Sequence, residues 1–358
     1  MYARPSCKSL LAGSTMAVAV NISTTPEAQD LLHDQTWLIT MRFVVVGFGI
    51  LLNSVVTGVF MYTRMYRKSL LHGLIVQQSF VDFFGCCLFL IFYNQDAPSG
   101  NWGTTFCKAR SLFWFASSTS TYNLLMITVE RFIAVVHPIT YRKRSIGKRP
   151  RLFYIIPYII GFLISFHFAI IADINEDLIG ECVYTGSRAI SLFSGLCVYV
   201  IFFFVPACFM AYCYGRIFLV FRKRAKEQQH KDKANRRLSS YHVSTQRNLV
   251  YTMFFVVIGF IFTTSPNFTM YLVYNICRCF EFSTIVAHEI TVLIYTCNMC
   301  INPIIYGAKM NDFRSGLREI WRRSAIRAGH DAAEEWTSTR HSMTLTKIDT
   351  EKLKTLFH

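Results

Sequence analysis

Carboxamides and a proline inside an apolar run are destabilising, yet this chain places Asn298, Asn302, Pro303 and Tyr306 in one such run, reading Asn-Met-Cys-Ile-Asn-Pro-Ile-Ile-Tyr. Lipid offers no partner for these amides or for the carbonyl that a proline frees, so such groups persist where they face protein or trapped water. Glu130-Arg131-Phe132 stands at the basic end of another apolar run, and Asp82 is a carboxylate deep inside a run of its own. Acid, guanidinium and carboxamide at these depths suit a polar relay within a helical bundle. The His, Asp and Glu residues inside the runs are scattered rather than clustered as catalytic groups would be, so the chain reads as no enzyme.

The elements that carry these groups follow from composition. Of 358 residues, 53% are hydrophobic, 15% aromatic and only 16% charged, with 32 phenylalanines. About 25% charged residues is usual for a soluble domain. Seven apolar runs reach the roughly 20 residues a helix needs to cross a bilayer, near 37–63, 70–94, 107–136, 152–172, 190–220, 248–275 and 285–308. The predicted fold is therefore an all-α membrane protein, a seven-transmembrane helix bundle. Its divisions are an extracellular N-terminal segment 1–36, a membrane domain 37–308 and a cytoplasmic segment 309–358.

Orientation follows from short-loop Lys and Arg. Arg64, Arg67 and Lys68 follow the first run, Arg142, Lys143, Arg144, Lys148, Arg149 and Arg151 the third, and Arg222, Lys223, Arg224 and Lys226 begin the basic stretch after the fifth. The opposite loops carry few, with Asp173, Glu176, Asp177 and Glu181 after the fourth run. The N-terminus is thus expected outside and the C-terminus inside, in a multi-pass plasma-membrane protein. The net charge of +16 matches attraction to anionic lipid heads, and no folded soluble surface presents it to nucleic acid.

Cys86, Cys87, Cys197, Cys208, Cys213, Cys297 and Cys300 lie within the runs and read as small packing residues. Cys107, Cys182, Cys277 and Cys279 face the oxidising side, and Cys277 and Cys279 are too close in sequence to bridge each other readily. Asn21-Ile22-Ser23 is a glycosylation sequon in the outer segment, while Asn267-Phe268-Thr269 has the same pattern inside the sixth run, where it is inaccessible.

Seven spans and these inner motifs resemble the rhodopsin-like (class A) G-protein-coupled receptor family, over roughly 37–322. The residues that carry the resemblance are Asn53, Asp82, Cys107, Glu130-Arg131-Phe132, Pro138, Pro206, Tyr214, Phe260, Pro266 and Asn302-Pro303-Ile-Ile-Tyr306, with Phe313 opening a short amphipathic eighth helix. Their shared outside location and the resemblance pair Cys107 with Cys182. The resemblance also implies a sodium ion held by Asp82, Ser120, Asn298 and Asn302, whose oxygens suit a hard cation. A neutral Asp82 hydrogen-bonded to Asn53 and Asn302 is the other reading, and no further metal or cofactor is expected. Arg131 would pair with Glu130 in a closed state and release toward a G protein, with Tyr214 and Tyr306 meeting on opening and Pro303, Pro206 and Pro266 as helix-kinking positions. Gln246 is not acidic, so the latch found in some relatives is missing.

Other departures touch the ligand end. Thr264 stands where the family usually has tryptophan, Thr121 replaces a bulkier residue, and Cys107 and Arg131 are one residue closer than in most relatives, so a register shift in the outer third helix is expected. No cysteine follows Cys300 to carry a palmitoyl anchor. Arg110, Phe113, Trp114, Thr264 and Glu289 are the candidate ligand contacts. An amine would need an acid where the chain has Phe113, Trp114 and Phe115, and retinal a lysine that 285–308 lacks. The expected function is a receptor for an extracellular ligand, a peptide first and a lipid or small acid second, acting on a heterotrimeric G protein. A non-signalling seven-helix protein or transporter is the alternative, although no pseudo-repeated halves are found. Ser239 after Arg236-Arg237 and the tail residues Thr337, Ser338, Thr339, Ser342, Thr344 and Thr346 are candidate phosphorylation sites for kinases and arrestin.

Overall fold

The structure is a computed structural model that describes residues 26–143, 150–174, 182–184, 186–229, 233–277 and 286–327. Seven long helical stretches correspond to the seven apolar runs. We label them α1 (Pro26–Tyr62), α2 (Leu70–Tyr93), α3 (Ser111–Val136), α4 (Pro150–Ile171), α5 (Arg188–Val198, continued through Tyr199–Phe204 and Val205–Gln229), α6 (Lys233–Cys277) and α7 (Val286–Lys309). Residues 311–327 form a further helix after α7. The helices close a ring in which α1 packs on α2 and α7, α5 on α6, and α6 on α7, while α3 threads the middle against α2, α4 and α5.

Six of these helices are long and apolar enough to cross a membrane. α3 falls short in hydropathy because Ser117, Ser118, Thr119, Ser120, Thr121, Asn123 and Thr128 line it, all of them buried. Its surroundings are other helices rather than lipid, so polar side chains there find protein partners. Lipid-facing aromatic and aliphatic residues concentrate instead on the outer ring, such as Phe162, Leu163 and Ile170 of α4 and Phe193 and Leu196 of α5.

The helices run past the expected membrane boundaries, and two of them depart from regular α geometry. The third run was expected to be continuous from residue 107, but the chain forms a separate helix, Asn101–Ala109, that breaks before α3. At the break the Phe113 amide donates to the Arg110 carbonyl at 3.0 Å, a three-residue turn. Such a turn uses fewer residues than an α turn, which absorbs the residue missing between Cys107 and Arg131.

In α5, Tyr199–Phe204 are wound as a π-helix, and the Val205 amide bonds to the carbonyl of Val200, five residues back. Pro206 has no amide to continue that pattern to Ile201. The Tyr122 hydroxyl of α3 donates to the Ile201 carbonyl at 3.1 Å and fills the gap.

The Ala172–Ile174 strand pairs antiparallel with Cys182–Tyr184, and Cys182 is bonded to Cys107 across a Cα–Cα distance of 5.5 Å. The expected bridge is present, tying the strand pair to the top of the third span. Cys277 is also disulfide-bonded, to a partner outside the described residues.

Candidate functional site

At the end carrying the disulfide, hereafter the outer end, the helices enclose a cavity of about 370 Å³. Its floor and walls are aromatic. Trp114 stacks on Phe168 with centroids 5.2 Å apart and reaches Phe202, Phe268 and Tyr295, while Phe113 meets Phe89 and Tyr93. Tyr184 covers this cluster from the strand pair and accepts a hydrogen bond from Trp114 Nε1 at 3.2 Å. Burial raises the Tyr184 phenol above its ordinary range, so it stays neutral. Tyr295 and Ser117 join hydroxyls across α7 and α3.

Charge in this cavity is mostly positive. Arg42 and Arg110 line it as cations, His288 is held neutral by burial and by the nearby Arg42 charge, and Asp96 is the acid among the described lining residues. Arg110 lies over the Tyr93 ring at 5.2 Å and the Phe106 ring at 5.6 Å, with its Nε buried and without a hydrogen-bond partner in the structure. Cation–π contacts hold the guanidinium while leaving donors for an anion.

Of the expected ligand contacts, Arg110, Phe113 and Trp114 line the cavity. Thr264 does not; it is buried in α6 with its hydroxyl unpartnered. The Glu289 side chain lies outside the described residues. Asn267 is buried against the cavity.

Below the cavity sits a polar network around Asp82, which is fully buried. Ser120 Oγ donates to its Oδ1 at 2.6 Å and Asn302 Nδ2 to its Oδ2 at 3.0 Å. Asn298 does not join them, and its Oδ1 is buried without a partner. Gln78, absent from the sequence reading, takes part instead. Its Nε2 lies 3.1 and 3.0 Å from the two carboxylate oxygens and 2.5 Å from Ser120 Oγ, and its Oε1 accepts from Asn123 Nδ2 at 2.9 Å. The spacing Gln78–Asp82 is one helical turn, a pairing visible in sequence once both are placed on one face. Asn53 does not touch Asp82; its Nδ2 donates to the Gly49 and Met299 carbonyls at 2.8 and 2.9 Å, joining α1 to α7.

At the inner end, Glu130 is fully buried and holds Arg131 through both oxygens, with Nη2 to Oε1 at 2.6 Å and Nε to Oε2. Tyr141, in the short helix Pro138–Lys143 and missed by the sequence reading, donates to the same Oε1 at 2.8 Å. Burial, with Glu130 adding to it, pushes the Tyr141 phenol up to about 12. Tyr214 and Tyr306 are buried nearby, and the Tyr306 hydroxyl has no partner. Pro303 lies within α7 and Pro266 within α6. The 311–327 helix is moored by His72 Nε2 and Asp312 Oδ2 at 3.1 Å, a bond that lowers the Asp312 carboxyl below its ordinary value. Asn21, the tail hydroxyls from Thr337 to Thr346, and the side chains of Ser239 and Gln246 lie outside the described residues.

The chain matches the family described as 7 transmembrane receptor (rhodopsin family) over residues 32–306. It belongs to that family. Among similar proteins, the human (Homo sapiens) histamine H2 receptor is 27% identical over 262 residues, 71% of each chain. The mouse (Mus musculus) trace amine-associated receptor 7d is 26% identical over 297 residues, covering 78% of this chain and 81% of its own. The rat (Rattus norvegicus) trace amine-associated receptor 7a is 26% identical over 296 residues, with the same coverage.

Proposed function

We propose that this receptor binds an extracellular peptide through an acidic group and transmits that binding to a heterotrimeric G protein. The observation that carries the reading is the Glu130–Arg131 clamp, closed by Tyr141, at the inner mouth of a bundle whose outer end holds a cavity. A permanently charged guanidinium held by a single buried acid is a two-state contact: bound to Glu130, or released to a partner. Ligand shifts the balance only by its differential affinity for the two states.

The relatives named for histamine and trace amines raise an amine as the competing ligand. An ammonium needs an anion, and the outer third helix presents Phe113 and Trp114 where that anion would be useful. Asp96 is exposed at the rim, whereas Arg110 reaches in from above the aromatic cluster. A carboxylate from a peptide terminus or acidic side chain answers that arrangement better. A small acid or lipid could use the same contact and would be separated from a peptide by screening both classes.

The test is Arg131→Ala in cells reporting several G proteins. Surface expression and ligand binding are expected to persist while coupling is lost. Coupling retained at equal expression would remove Arg131 from the mechanism, and an amine found as the potent agonist would overturn the peptide reading.

A further inference from the structure

We infer that the Gln78 amide occupies the place of the cation that the family's mid-membrane site would hold, so that this receptor is built to be insensitive to sodium. Three oxygens converge on the Gln78 nitrogen: both carboxylate oxygens of Asp82, at 3.1 and 3.0 Å, and Ser120 Oγ at 2.5 Å. A small cation would need these same oxygens as ligands. The orientation of the amide is fixed from behind, because Asn123 donates to its Oε1 at 2.9 Å while also donating to the Leu74 carbonyl at 2.9 Å. Turning the amide over would set its carbonyl against the carboxylate and its NH2 against the Asn123 donor.

The rest of the expected ligand set fits the same conclusion. Asn302 offers Asp82 its Nδ2 at 3.0 Å, and no hydrogen bond joins Asn298 to Asp82. With Ser120 and Gln78, the donors then occupy the acceptor directions of both carboxylate oxygens. The carbonyl oxygens of Asn298 and Asn302 are buried and unpartnered, so they remain available to a cation once the Gln78 nitrogen is removed. An ion would have to displace Gln78 and break its bonds to Asp82, Ser120 and Asn123. Gln78 is tethered to its own helix one turn from Asp82, so its donation is intramolecular and involves no change in free ion concentration.

Shortening the network at Gln78 should therefore create a site. Gln78→Leu removes the NH2 but leaves Asp82, Ser120, Asn298 and Asn302. The purified full-length receptor would be melted in NaCl and in choline chloride at equal ionic strength. The wild type is expected to differ by less than about 1 °C between the two salts, and Gln78→Leu to gain about 3 °C or more in sodium, rising with its concentration. Asp82→Asn added to Gln78→Leu should abolish that gain. Sodium-specific stabilisation of the wild type that Asp82→Asn removes would overturn the inference, as would a Gln78→Leu receptor blind to sodium. If Gln78→Leu does not fold, Gln78→Ala replaces it, and the wild-type comparison decides by itself whether the native site takes the ion.

Discussion

Arg110 shows how one side chain can set ligand chemistry. Among the described residues its guanidinium is held by the faces of Tyr93 and Phe106 rather than by an acid, and a flat ion stacked in this way keeps its in-plane donors available. For a peptide agonist with a free acidic end, Arg110→Gln should lower potency at least about tenfold with the maximal response kept, the loss expected for one charge-assisted hydrogen bond. Amidating that end should abolish the difference between the two receptors, and equal potency of free and amidated forms on the wild type would remove Arg110 as the anchor. Such residues were legible in the sequence where a charge or carboxamide interrupts an apolar run, as Asp82, Asn302 and the Glu130-Arg131 pair do. Gln78 and Asn123 were passed over, because an uncharged amide draws attention only through its partners, which are Asp82 one turn along α2 for Gln78 and Gln78 itself for Asn123 on α3. Tyr141 was hidden in the same way, because the short helix Pro138–Lys143 turns it back on Glu130.

Hydropathy located the helices well and their irregularities poorly. α3 was recognisable through its motif, since its serines and threonines make it the least lipid-like span. The break before it at Arg110 and the π-helical turns at Tyr199–Phe204 depend on backbone hydrogen bonds that no periodicity records. Proline announced a disturbance in α5 without specifying its form. The Tyr122 hydroxyl decides that form by supplying the donor Pro206 lacks. Tyr122→Phe should cost about 1 kcal/mol, seen as a Tm lower by about 2–4 °C, because the half-buried Ile201 carbonyl loses the hydroxyl donor. In a Pro206→Ala background the backbone amide returns, and the same change should cost measurably less in a double-mutant cycle. Equal losses in both backgrounds would mean that the hydroxyl and the proline are unrelated.

Taken as a whole, the bundle separates an aromatic outer chamber lined by Arg42 and Arg110 from a clamped inner mouth by the Asp82 network, and α1 and α6 both pack on α7. Nothing bulky at Thr264 wedges α6 against the chamber floor, and its hydroxyl is left unpartnered. The closed state is held with correspondingly less packing. Unliganded receptor should therefore raise reporter output above that of Arg131→Ala at matched surface density, and identical outputs would contradict this. The strand pair has a kinetic consequence. Tyr184 roofs the chamber, secured to Trp114 on one side and through Cys182 to the third span on the other. If the proposed ligand enters and leaves beneath this roof, loosening it speeds the two passages together. Tyr184→Phe, which keeps the ring and drops the hydroxyl, should shorten residence time severalfold while equilibrium affinity changes much less. Washout experiments would register that change in how long a signal outlasts its ligand, where dose–response curves taken at equilibrium would show little.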